Sequence, residues 1–159
     1  MIEKKRIMMA LIGLAILPIF LNSALAADKL FLVANQKALD QAKDLITTLN
    51  NESISIAIVM DQFEKVKKEK YIFVLGGAKG PGSVEDFIKQ VLTPQELESS
   101  AQGAKFFVKE NVFNPGQTIV VFTGGDEAAA AEVRKGNRKT WWGLLAKWFD
   151  LDTSVPMVY

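Results

Sequence analysis

Asp61, Asp126 and Glu127 each follow a run of apolar residues, and Gly76, Gly77, Gly80 and Gly82 crowd a single loop. Carboxylates gathered at one edge of a sheet can hold a hard cation such as Mg2+ or Ca2+, or work as acid and base. Glycine loops at such an edge can cradle a phosphate on backbone N–H groups. Each feature also has a structural reading. Asp61 and Asp126 stand where helix caps are expected, and capping alone accounts for both.

The loop belongs to "YIFVLGGAKGPG" at 71–82. A phosphate-binding P-loop needs Gly-x-x-x-x-Gly-Lys-Ser/Thr, but here Lys79 comes early and there is no Lys-Ser/Thr pair, Ser83 following Gly82. The dinucleotide fingerprint also fails, because the glycine spacing is wrong and the loop follows the third strand instead of the first. The structural reading is that Gly76 and Gly77 let the chain leave a buried strand in little space, with Pro81 and Gly82 preparing a helix cap at Ser83. The competing reading is a binding loop, with an anion held by free N–H groups of the helix after Ser83 at a switch point between Asn35 and Gly77. On that reading the ligand-binding candidates are Asn35, Asp61, Gly76, Gly77, Ser83, Gly125 and Asp126.

What is missing narrows the chemistry further. The chain has no histidine and no cysteine, so nucleophile–histidine catalysis and ordinary zinc sites are excluded, while carboxylate, lysine or tyrosine chemistry and binding without chemistry stay open. No catalytic residue, metal ligand or cofactor is assigned. The formal net charge is +1, and without the basic N-terminal stretch the chain stays near neutral, which argues against nucleic acid as a partner.

The elements that position these residues can be read from periodicity. "KLFLVAN" at 29–35 is a strand ending in the helix cap Asn35, and helical spacing follows over 36–50. "SISIAIVM" at 53–60 is a second strand, after which Asp61 would cap a short charged helix over 62–70 with Phe63 and Val66 inward. "YIFVLGG" is apolar on both faces, as a parallel strand between two helix layers should be, and Tyr71 at its start reads as core. Ser83 with Asp86, and Thr93 with Pro94 and Glu96, open two helices. "KFFVKENVF" at 105–113 and "TIVVFTGGD" at 118–126 form an antiparallel pair through the turn at 114–117, with Lys109, Glu110 and Asn111 suited to an edge. A helix opens at Asp126, loosens at Gly136 and Asn137, and resumes over 138–150. The expected fold is therefore a three-layer α/β domain whose mainly parallel five-stranded sheet runs 2-1-3-5-4, flavodoxin-like, with one antiparallel edge strand and helices on both faces.

The ends carry different signals. Lys4, Lys5 and Arg6 precede an apolar run at 7–21 and then Ala24-Leu25-Ala26, the layout of a secretory signal cut after Ala26. That run is short for a spanning helix and contains Pro18, so an uncleaved anchor is the lesser reading. No cysteine follows it, which excludes a lipoprotein. Residues 1–26 are thus expected to be a signal peptide, 27–150 a single domain and 151–159 a tail. Near the tail, Trp141, Trp142 and Trp148 share a segment with Leu144, Leu145 and Phe149, just after Arg134, Lys135, Arg138 and Lys139. They read either as a closing helix docked on the sheet or as an amphipathic surface for a membrane or an envelope partner.

The rows "KEKYIFVLGGAKGPGSVEDFIKQVLTPQE", "FFVKENVFNPGQTIVVFTGGD" and "NRKTWWGLLAKWF" resemble an uncharacterised α/β domain of exported archaeal proteins, sometimes described as S-layer-like. The resemblance implies an extracellular or cell-envelope location, with an envelope protein or a second copy as partner and no catalytic residues to carry over. Such domains often have an Asp-Arg-x-x-Thr run after the last central strand. Here "GGDEAAAAE" keeps Asp126 but places Glu127 and alanines after it.

Overall fold

A computed structural model describes residues 28–77 and 83–153. Five strands, β1 (Leu30–Ala34), β2 (Ile56–Val59), β3 (Tyr71–Gly77), β4 (Lys105–Glu110) and β5 (Thr118–Gly124), form one sheet in the order β2-β1-β3-β5-β4. The β1–β2, β1–β3 and β3–β5 pairs are parallel, and β4 runs antiparallel to β5. Fold class, strand order and the antiparallel edge all match the reading of the sequence.

Alternation along the inner strands builds two cores. Leu30, Leu32, Tyr71, Phe73, Leu75, Val120 and Phe122 face a layer made by α1 (Gln36–Asp40), α2 (Lys43–Asn51), α5 (Glu127–Gly136) and α6 (Arg138–Phe149). Val33, Ile72, Val74, Ile119 and Val121 face α3 (Ser83–Val91), α4 (Pro94–Gln102) and a 3-10 turn, Val66–Lys68. The α3 stripe Val84, Phe87, Ile88, Val91 and Leu92 is buried as its spacing requires. At α4 the Thr93 side chain accepts from the Glu96 N–H, the Glu96 side chain accepts from the Thr93 N–H, and Pro94 opens the helix. Glu96 also pairs with Lys109 of β4 at 2.8 Å, so one carboxylate caps a helix and fastens the edge strand.

Three local expectations are corrected. The helix expected over 36–50 is two, broken at Gln41 and Ala42, and the Gln41 carbonyl accepts instead from Arg134 Nη2 at 3.1 Å. The helix expected over 62–70 is reduced to the 3-10 turn, preceded by Gln62 at a left-handed φ of 52°. Phe63 and Val66 point inward as expected, but the carbonyls of Lys67 and Glu69 accept from the Asn114 and Gln117 side-chain amides of the β4–β5 connection, which competes with helical bonding. Asp61 therefore caps no helix; the turn's N-cap position is Lys65. Finally, β4 ends at Glu110 because Asn111 turns left-handed (φ 55°), and the connection closes through Asn111 N–H to Gln117 O.

Candidate functional site

In a parallel sheet the loops past the carboxyl ends of the strands are the usual ligand edge. Here that edge gathers Asn35 after β1, Gly76 and Gly77 at the end of β3, and Gly125, Asp126 and Glu127 after β5. Asn35 caps α1, its Oδ1 accepting from the Ala38 N–H at 2.8 Å, while its Nδ2 donates to Glu127 Oε1 at 2.9 Å. The other Glu127 oxygen meets Lys37 Nζ at 3.1 Å. Glu127 is buried, yet its pKa lies below the usual carboxylate range. The Asn35 hydrogen bond lowers it most, and a backbone N–H and Lys37 add to this against the upward push of burial. Asp126 caps α5 by accepting from the Ala129 N–H at 2.8 Å.

Seven residues along α5 from Glu127, Arg134 lies under the same helix at 2% exposure. Its guanidinium forks onto Asp44, with contacts of 2.7 and 2.9 Å, and its backbone carbonyl accepts from Trp141 Nε1 at 2.8 Å. Burial pushes the Asp44 carboxyl up, but the hydrogen bond and charge of Arg134 outweigh it and the net shift is downward. Between Arg134 and Glu127, floored by Ala38, Leu75, Gly76 and Ala130, is a cavity of about 10 Å³, room for one water at most.

The glycines act here by close approach. A Cβ added to Gly77 would lie 2.8 Å from the Asp126 Cα, because β3 and the β5–α5 turn touch backbone to backbone. One on Gly76 would meet Val84 Cγ1 at 2.9 Å, and one on Gly125 would meet nothing within 4 Å. Beside Gly76 in the ladder, the Thr123 hydroxyl is buried with no hydrogen-bond partner among the described residues. Lys79, the rest of 78–82 and the Ser83 side chain lie outside the described residues.

The sequence candidates thus divide. Asn35, Gly77 and Asp126 converge with Glu127, whereas Asp61 lines a separate groove at β2 with Ile58, Met60 and Lys65. Asp61, Asp126 and Glu127 do not form a cation site, and among the described residues no cluster of three such ligands occurs. Trp141 is 1% exposed and edge-on to Phe73, Trp148 stacks on Tyr71 at 4.5 Å between ring centres, and Trp142 is half-buried. At the amino ends of the strands a wider cleft of about 410 Å³ opens between Asp28, Glu52, Trp148, Phe149 and Asp150. Among the described residues no helix is long and apolar enough to cross a membrane.

Sequence reasoning missed Arg134 and its partner Asp44. The signal was present: Glu127, Ala130, Ala131 and Arg134 fall at i, i+3, i+4 and i+7, which puts both charged residues on the inner stripe of α5. No protein-family model, curated protein or solved structure matches the chain.

Proposed function

We propose that the chain is an exported, non-catalytic α/β module that acts by binding or association at the cell envelope, in the manner of S-layer-like domains. One observation carries the reading: at the edge where such sheets usually bind ligands, the polar side chains of Asn35, Asp126, Glu127 and Arg134 are spent on one another or on capping, among the described residues. Both Glu127 oxygens are engaged by Asn35 and Lys37, Arg134 is held by Asp44 and Gln41, and the space between them admits at most a water. The absence of histidine and cysteine and the export pattern of residues 1–26 support the same reading. Fractionation of the native cells, with mass spectrometry of the protein's first residue, tests it. Recovery in the envelope fraction with a start at Ala27 is expected; recovery in the cytoplasm with residues 1–26 attached overturns it.

The amino-edge cleft favours a second reading, a small-molecule site, since Trp148 and Phe149 line it together with the acidic residues Glu52 and Asp150, and with Asp28, whose carboxylate pairs with Lys70. A thermal-shift series with small organic cations separates the two: stabilisation lost in Trp148→Ala supports the cleft, and no stabilisation removes it.

A further inference from the structure

The two edges of the sheet are built differently. β4 carries Lys105, Lys109 and Glu110, and such edge charges are a usual means of blocking strand addition. β2, at the other edge, lies in "SISIAIVM" with no charge from Ser53 to Met60, and its Ile58 and Met60 side chains are 47% and 48% exposed. Among the described residues β2 is paired only with β1.

The register fixes which backbone groups face outward. Leu30 N–H donates to Ser55 O, and Leu30 and Ile56 are ladder partners in a parallel pair. In that pattern Ser55 and Ala57 direct their peptide groups to β1, so Ile56 and Ile58 direct theirs away from the sheet. The outward groups of Ile58 suit one partner without adjustment: another Ile58, approached antiparallel across a two-fold axis, each donating its N–H to the other's carbonyl.

We propose that β2 pairs with β2 of a second copy about an axis through Ile58, joining two sheets into one of ten strands. This deepens the reading of an association module and rests on it. The same register covers the exposed Ile58 and brings Ile56 toward Met60 of the second copy, which comes just after the last strand residue, Val59. It sets Ala57 opposite Val59. A symmetric axis makes each of these contacts occur twice. Four-residue strands make a small interface, so the dimer is expected to be concentration-dependent.

Sedimentation of residues 27–159 from about 1 µM to about 1 mM, the range in which small interfaces titrate, reads the equilibrium. Wild type is expected to pass from monomer to dimer. Ile58→Lys, which sets two ammonium groups across the axis at an exposed position, is expected to weaken the dimer at least tenfold, whereas Val108→Lys on β4 leaves it unchanged. The described chain has no cysteine, and opposed residues of a hydrogen-bonded antiparallel pair lie about 5.5 Å apart at Cα, within disulfide reach. Oxidised Ile58→Cys is therefore expected to form a covalent dimer and Val108→Cys not. A wild-type monomer at the highest concentration overturns the pairing, as does an Ile58→Lys variant that dimerises like wild type. Cell fractionation is read separately: a dimer found in the cytoplasm sinks the envelope reading alone, and a monomer found in the envelope sinks the pairing alone.

Discussion

Three side chains carry consequences that their neighbours do not: Glu127 and Thr123 are buried, and Asp44 is half-exposed but pairs with the buried Arg134. Glu127 and Asp44 both have pKa values lowered in the folded state, Glu127 first through Asn35, and Asp44 because Arg134 outweighs burial. A carboxyl depressed by folding stabilises fully above its unfolded value, roughly 4 for both types, and that contribution is lost as pH falls through the lower folded value. Stability is therefore expected to hold near neutrality and to decline below about pH 4. Glu127→Gln should flatten the acid limb and cost about 1–3 kcal/mol at pH 7, since Lys37 loses its partner and a buried amide replaces a satisfied carboxylate. Urea unfolding at a series of pH values checks both, and an unchanged acid limb contradicts the assignment. Thr123 should behave oppositely. Its buried hydroxyl has no partner among the described residues, so Thr123→Val is expected to be neutral or to stabilise by about 1 kcal/mol. A loss of stability would show that the hydroxyl is bonded in solution and would reopen the glycine-loop reading.

At the scale of elements, what was legible depended on whether a segment's structure is decided within itself. The Thr93-Pro94-Gln95-Glu96 cap, the α3 stripe and the break between α5 and α6 at Asn137 follow from neighbours in sequence, and all are present. The failures lie where a distant side chain takes a carbonyl: Arg134 at Gln41, and Asn114 and Gln117 at Lys67 and Glu69. Periodicity holds no record of such bonds. The candidate site was half legible for the same reason. Asn35 and Asp126 announced themselves as caps, but their convergence on Glu127 depends on the order of strands β1, β3 and β5. Gly76 and Gly77 end their strand in little space, as read from the sequence, and the cause is contact, since among the described glycines only Gly116 has a positive φ. Gly77→Ala is accordingly expected to cost about 1–3 kcal/mol through overpacking against the Asp126 backbone, which cannot move aside as a side chain can. Gly125→Ala, in open space, should stay within about 0.5 kcal/mol. Equal melting temperatures for the two variants would remove the close-approach argument.

The whole molecule turns on how its last helix closes the sheet. The order 2-1-3-5-4 was legible because three apolar strands alternate with helices and right-handed crossovers leave few arrangements. The role of α6 was not, because a tryptophan-rich stripe reads alike whether it covers a sheet or a membrane. Its indoles divide by depth. Trp141 is sunk against Phe73 with its N–H on the Arg134 carbonyl, which couples the closing helix to the Arg134–Asp44 fork under α5. Trp148 spreads over Tyr71 at the opposite end of the sheet, and Trp142 stands edge-on to Trp141 and half-exposed. Removing Trp141 therefore leaves a cavity and takes one of the hydrogen bonds from the Arg134 carbonyl, which keeps the Asn137 N–H, and Trp141→Ala should cost about 3–5 kcal/mol. In a chain of this length that lowers the melting temperature by about 10 °C or more. Trp142→Ala is expected to cost less, because a half-exposed ring has fewer contacts to lose. Tryptophan fluorescence of the wild-type protein, which reports the same rings, should not shift when anionic or neutral vesicles are added. If Trp141→Ala melts like wild type while vesicles move the wild-type emission to the blue, α6 leaves the sheet for the lipid and the closed core described for this face is not the state in solution.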